Sequence, residues 1–173
     1  MKKIYILILA TIGIIIISCN SKDEIQIAKP FTIDEVYNNP NFYWYETEYD
    51  AYNYNIEILD SIKTLFNENI FKLIIYTSPS CECGSLYALF PQTIKVLENA
   101  SLSNYEIYLI FNVDKKKLKV EHPYSHLFQI KTSPSIYLLK SEKYYYDLLL
   151  HIDTEKISIE RALLDGIKFL DTY

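Results

Sequence analysis

The sequence predicts an α/β fold in which a central mixed sheet is flanked by helices and closes with a β-hairpin and a C-terminal helix. Three observations predict it. Residues 71–76 and 105–111 are short apolar runs rich in β-branched and aromatic residues, of strand length and apolar on both alternating faces. Around them, apolar residues return at intervals of three and four, the spacing of a helix with one buried face. Residues 136–139 and 144–150 are two further strand-like runs separated only by 140–143, a hairpin-length loop. The resulting order is helix, strand, helix, strand, helix, strand, strand, helix. It requires a sheet that begins parallel, ends antiparallel and carries helices on both faces.

Taken in order, residues 20–30 read as a polar tether ending at Pro30, and 31–49 as an aromatic, irregular stretch with a turn at Asn38-Asn39-Pro40-Asn41. Ala51, Tyr54, Ile58, Ile62, Leu65 and Phe66 place a first helix over 50–67. Strand 71–76 is broken by Thr77-Ser78-Pro79-Ser80. A second helix carries Leu86, Leu89, Phe90, Ile94 and Leu97 on one face, and Pro91 kinks it unless it starts late. Strand 105–111 runs into Asn112-Val113-Asp114, and a polar stretch over 115–119 leads to a short helix around 123–128. After the hairpin, Asp153 to Glu155 read as the start of the closing helix over 157–170, built on Ile159, Leu163, Ile167 and Leu170. Gly166 in its interior costs about 1 kcal/mol relative to Ala.

Composition narrows the function. The chain has 173 residues, enough for one domain with a substantial core, and is 50% apolar and 23% charged. A net charge of -5 argues against a nucleic-acid or anionic-membrane surface, which needs a basic patch. The acids are dispersed, so neither a paired-carboxylate nor a serine-hydrolase constellation emerges. The Phe42-Tyr43-Trp44-Tyr45 cluster is read as packing onto the domain.

The first 18 residues read as a leader. Lys2 and Lys3 precede an apolar run over 4–17, too short to span a bilayer comfortably and right for a signal-peptide core. It ends in Ile16-Ile17-Ser18-Cys19, which resembles the lipobox read by bacterial lipoprotein signal peptidase, although Ile16 stands where Leu is commoner. The resemblance implies lipidation of Cys19, export, and attachment to a membrane of the cell envelope. Loss of Lys2 and Lys3 takes the net charge from -5 to -7. Cys81 and Cys83 are then the two remaining thiols, in a compartment where disulfides persist.

Three further segments resemble the thioredoxin-like superfamily. A buried strand runs into Ser78-Pro79-Ser80-Cys81 and then a helix; a strand closes on Asn112-Val113-Asp114; and Thr132-Ser133-Pro134-Ser135 precedes a strand, as in the segment that holds the family's cis-proline. The match spans roughly 50–172. With the lipobox resemblance it implies a leader at 1–18, an anchor, tether and aromatic extension at 19–49, and a thioredoxin-like domain at 50–173. It also implies that Pro134 is cis beside Cys81 and that the Ser133 backbone pairs with a thiol-bearing substrate.

Such chemistry needs a thiolate, which the N-terminus of a helix favours. Cys81 and Cys83 precede the second helix, but one residue, Glu82, separates them where the family has two. Cysteines two apart point to nearly opposite sides of a regular helix, so this pair bridges only in a turn or extended loop, and Gly84 offers the backbone freedom for one. Aligning Pro79 with the family's active-site proline makes Cys81 the nucleophile; aligning Pro91 with its helix-kinking proline makes Cys83 the only active-site thiol. The family's buried acid, six residues before the nucleophile, is replaced by Ile75 or Thr77, and Glu82 opposes thiolate formation. Three functions remain open. One is thiol-disulfide exchange at Cys81 and Cys83 on protein thiols, one a redox-inactive binding module, and one Cu(I) binding by two soft thiolates with His122 and His126 as extra ligands. The histidines are more simply solvated or capping residues. Neither a cofactor nor a closed metal site is expected.

Overall fold

A computed structural model describes residues 25–79, 84–111 and 119–173. Its centre is a five-stranded mixed sheet flanked by helices. The strands are β1 (Ile25–Ile27), β2 (Lys29–Phe31), β3 (Phe71–Thr77), β4 (Tyr105–Leu109), β5 (Lys119–Glu121), β6 (Ser135–Lys140) and β7 (Tyr144–Asp147). The sheet order is β2-β4-β3-β6-β7, and β1 pairs separately with β5. β3 and β4 are parallel; β2 with β4, β3 with β6 and β6 with β7 are antiparallel. The expected parallel start and closing hairpin are therefore present. Lys143 N–H donates to the Lys140 carbonyl at 3.1 Å, and Ser141 and Glu142 turn the hairpin with φ of 51° and 55°.

The helices are α1 (Ile33–Asn38), α2 (Tyr45–Ala51), α3 (Ile56–Leu65), α4 (Leu89–Asn99), α5 (Leu148–Glu155) and α6 (Ile159–Leu170). Their buried side chains join Phe71, Leu73, Ile75, Ile136 and Leu138 on one face of the sheet. Ile74, Tyr76, Tyr137 and Leu139, alternating with these, build a second layer with Val120, Tyr124, Phe128 and Ile130. The segment that covers this second face turns rather than forming the expected helix at 123–128. Ser125 Oγ accepts from His122 N–H at 3.0 Å and donates to the His122 carbonyl at 2.7 Å, a local alternative to helical bonding, and the backbone closes turns such as Ser125 N–H to that same carbonyl.

Other expectations are corrected as well. Residues 25–49 are neither tether nor irregular. Pro30 sits in edge strand β2, where its missing N–H costs no ladder bond, and Thr32 and Glu35 form a reciprocal capping box on α1. Val36, Phe42 and Tyr45 then enter the main core, with Tyr45 and Phe42 rings 5.4 and 6.1 Å from that of Phe90. The first helix does not run over 50–67, because the backbone is extended at Tyr52 and Asn55 starts α3 by accepting from the N–H groups of Glu57 and Ile58.

The strand expected over 144–150 ends at Asp147, whose carboxylate accepts from Leu150 N–H at 3.1 Å and starts α5. Asp153 to Glu155 consequently end α5, which stops at Lys156 with φ 55°, and Ser158 caps α6. β4 closes at Leu109, short of 111, and Lys119 opens β5 rather than ending a polar stretch.

Pro91 lies in the first turn of α4, which starts late, so it removes no intrahelical hydrogen bond. Gly166 has a packing reason: a Cβ there would lie 2.7 Å from Cδ1 of Tyr146.

Candidate functional site

Cys19, Cys81 and Cys83 lie outside the described residues, as do Glu82 and Asn112-Val113-Asp114. What the fold supplies is the frame on either side of Cys81 and Cys83. β3 is central and buried, and its C-terminal end carries Thr77 and Ser78, both buried, followed by half-buried Pro79. Tyr76 is opposite Ser135 in the β3–β6 ladder, so Ser133 and Pro134 stand at that same end of the sheet. Ile110 N–H donates to the Thr77 carbonyl at 2.9 Å, which brings the end of β4 to it as well.

The Ser133–Pro134 peptide bond is cis, as the family resemblance implied. The turn containing it is tied together locally. Ser135 Oγ donates to the Thr132 carbonyl at 2.7 Å, and Thr132 Oγ1 reaches the Pro134 carbonyl at 3.3 Å. Ser133 and Ser135 are buried.

On the far side of residues 80–83, a short 3-10 turn over Gly84–Ala88 precedes α4. The α-helix therefore begins at Leu89, six residues after Cys83, later than a helix opening directly on the cysteines. Ile75 and Thr77, the two candidate positions for a proton-shuttling acid, are both buried and carry no carboxyl group. Among the described residues, no group of three His, Cys, Asp or Glu is arranged to hold a metal ion.

A buried polar cluster that the sequence did not reveal lies on the second face. Nδ1 of His122 meets the Tyr76 hydroxyl at 2.8 Å, and its ring stacks on Phe128 with centroids 5.1 Å apart. Nε2 is buried and has no hydrogen bond of ordinary geometry among the described residues. Burial holds the His122 pKa below the ordinary imidazole value; the Phe128 backbone opposes this, and His126 adds to it. The ring of Tyr76 also stacks on Tyr108, whose hydroxyl donates to Glu106 at 2.9 Å. Glu106 accepts from Tyr124 at 2.8 Å and pairs with Lys72 at 3.0 Å as well. Burial alone would raise the Glu106 pKa, but the bonds from Tyr124, Lys72 and Tyr108 outweigh it and hold the carboxyl below its ordinary range. The same contact helps burial push Tyr108 up to about 12. A lone glutamate inside strand 105–111 was the available signal, and it becomes legible only once Lys72 and Tyr124 are neighbours.

A cleft of about 490 Å³ opens elsewhere, where Pro30 to Asp34 face Tyr105 to Tyr108 at the β2 side of the sheet. Among the described residues no helix is long and apolar enough to cross a membrane. No protein-family model matches the chain, and neither curated proteins nor solved structures give a match to it.

Proposed function

We propose that this chain is an exported envelope protein, lipid-anchored through Cys19, in which Cys81 and Cys83 exchange dithiol for disulfide with protein thiols on a thioredoxin-like domain. One observation carries the reading. The antiparallel register that sets Ser135 opposite Tyr76 puts the Ser133-Pro134 turn at the end of the central strand from which the chain runs on to Cys81. A substrate strand bonded to the Ser133 backbone would approach that same end. In the oxidising direction, the Cys81–Cys83 disulfide takes two electrons and two protons from a substrate dithiol, which closes its own disulfide. The reducing direction is the reverse. Between Cys19 and Ile25 six residue steps reach at most about 20 Å, so the anchor holds the domain close to the lipid surface.

The missing acid favours a second reading, a binding module whose cysteines do not turn over. Ile75 and Thr77 leave no carboxyl group at either position to take a proton from a thiol. Copper binding draws less support, because Nδ1 of His122 is occupied by Tyr76 and the ring is buried.

Equilibration with glutathione, followed by alkylation and intact-mass counting of free thiols, separates the first two. A reversible two-electron step that disappears in Cys81→Ser supports exchange, whereas two thiols that stay free under oxidising conditions favour the binding module. Cys19→Ser should release the protein from membranes and abolish its labelling by fatty acid.

A further inference from the structure

The two edges of the five-stranded sheet are built differently. β2 is three residues long, with Pro30 at its centre and Lys29 beside it. Shortness, a proline and a charge are devices that keep an edge strand from pairing with another chain. β7 is Tyr144, Tyr145, Tyr146 and Asp147, in unbroken register with β6, and its outer edge has no partner strand among the described residues. Tyr144 and Tyr145 are 45% and 42% exposed. Phe169 and Tyr173, 47% and 63% exposed, continue the patch on the Tyr144 side. Tyr173 stacks on Tyr144 at 5.2 Å and meets Phe169 at 5.5 Å. A contiguous aromatic patch beside an open strand edge has the character of an interaction surface.

We propose that β7 pairs with β7 of a second copy of this chain, antiparallel about a two-fold axis at Tyr145, joining the two sheets into one. The occupant is assigned by the order Lys143-Tyr144-Tyr145-Tyr146-Asp147. About that axis Tyr145 faces Tyr145, Tyr144 faces Tyr146, and Lys143 faces Asp147 at both ends. Each of these cross-strand pairs is favourable, and an isologous contact repeats them by symmetry. Moving the axis to Tyr144 would set Ser141 against Asp147 and Tyr145 against Lys143, leaving both charges unpaired. Only the Tyr145-centred register satisfies them, which pins the alignment. Asp147 is held in place at this end of β7, its carboxylate accepting from Leu150 N–H at 3.1 Å, so the lysine of the second copy would meet a fixed carboxylate. A foreign strand would have to carry this same inverted charge order; the chain supplies it itself. The net charge of -5 otherwise repels copies from each other, so the ammonium of Lys143 at the meeting edge matters.

Sedimentation velocity of the purified protein over a wide concentration range should show a monomer–dimer equilibrium. Lys143→Asp sets like charges opposite each other at both ends of the ladder and should weaken the dimer at least about tenfold. A register test protects against a variant that merely misfolds. With Cys81→Ser and Cys83→Ser in place, Tyr145→Cys should cross-link two copies under mild oxidation, because facing Cα atoms in an antiparallel pair lie within disulfide range. Lys168→Cys in that background should not. A monomer at every concentration, or a dimer that Tyr145→Cys fails to cross-link, overturns the proposal.

Discussion

Nδ1 of His122 and the hydroxyl of Tyr76 meet at 2.8 Å inside the aromatic layer, with no carboxylate among the described residues bonded to the ring. The imidazole is therefore held neutral, with a folded-state pKa below its ordinary 6.5. The unfolded chain binds the proton first as pH falls. The stabilisation is complete above about 6.5 and is lost as pH drops from there toward the depressed folded value. Urea midpoints should fall over that window. His122→Phe should flatten the dependence while lowering stability by about 1–3 kcal/mol, since the Tyr76 hydroxyl loses its partner. An unchanged pH profile in that variant would falsify the assignment.

Gly166→Ala should destabilise the protein, although alanine is the better helix former by about 1 kcal/mol. The new methyl group would stand 2.7 Å from the ring of Tyr146. That ring cannot swing away, because it stacks on His151 at 4.2 Å and packs on Phe169. Overpacking of this kind costs about 1–3 kcal/mol, so a net loss is expected in thermal unfolding. Pairing it with Tyr146→Leu should recover part of that loss, and simple additivity would count against the contact.

Glu160 is buried in α6 and accepts from two groups far away in sequence, the Tyr52 hydroxyl and Asn55 N–H at 3.0 Å. Glu160→Ala leaves both donors without an acceptor and should cost about 3 kcal/mol in urea denaturation. Glu160→Gln keeps an acceptor oxygen and should cost clearly less. Equal losses in the two variants would mean that packing volume, rather than hydrogen bonding, sets the effect.

A fragment comprising residues 50–173 should fail to adopt the native fold. It lacks β2, which pairs with β4, and the side chains of Val36, Phe42 and Tyr45, which cover Phe90. Near-UV circular dichroism and limited proteolysis should show loss of fixed packing. A cooperative unfolding transition like that of the longer chain would contradict this.

The interior strands were legible because both their faces are apolar: 71–76 and 136–139 fall within one residue or so of β3 and β6. Helix boundaries were harder. Asn55, Asp147 and Ser158 each start a helix through one side-chain oxygen, and apolar spacing runs straight through such breaks. That is why 50–67 looked continuous and 144–150 looked like one strand. β1, β2 and β5 have three residues each, too few to show a period. At the candidate site, Ser133 and Pro134 were readable from their local pattern. The Tyr76–His122 and Lys72–Glu106–Tyr124 contacts join residues 18 to 46 positions apart, a separation that no local pattern records.

The bond between Glu160 and Asn55 spans 105 residues, and β2 waits on β4 to complete its pairing. A ribosome releasing this chain from its N-terminus therefore delivers α6 after every other described element, and no long portion preceding α6 can reach its final packing before it emerges. Until then Phe90, Leu59 and Ile62 lack their full cover. For a protein proposed to leave the cytoplasm, that lateness is useful: an unfinished chain can still be threaded through a narrow translocation channel, whereas a folded one cannot.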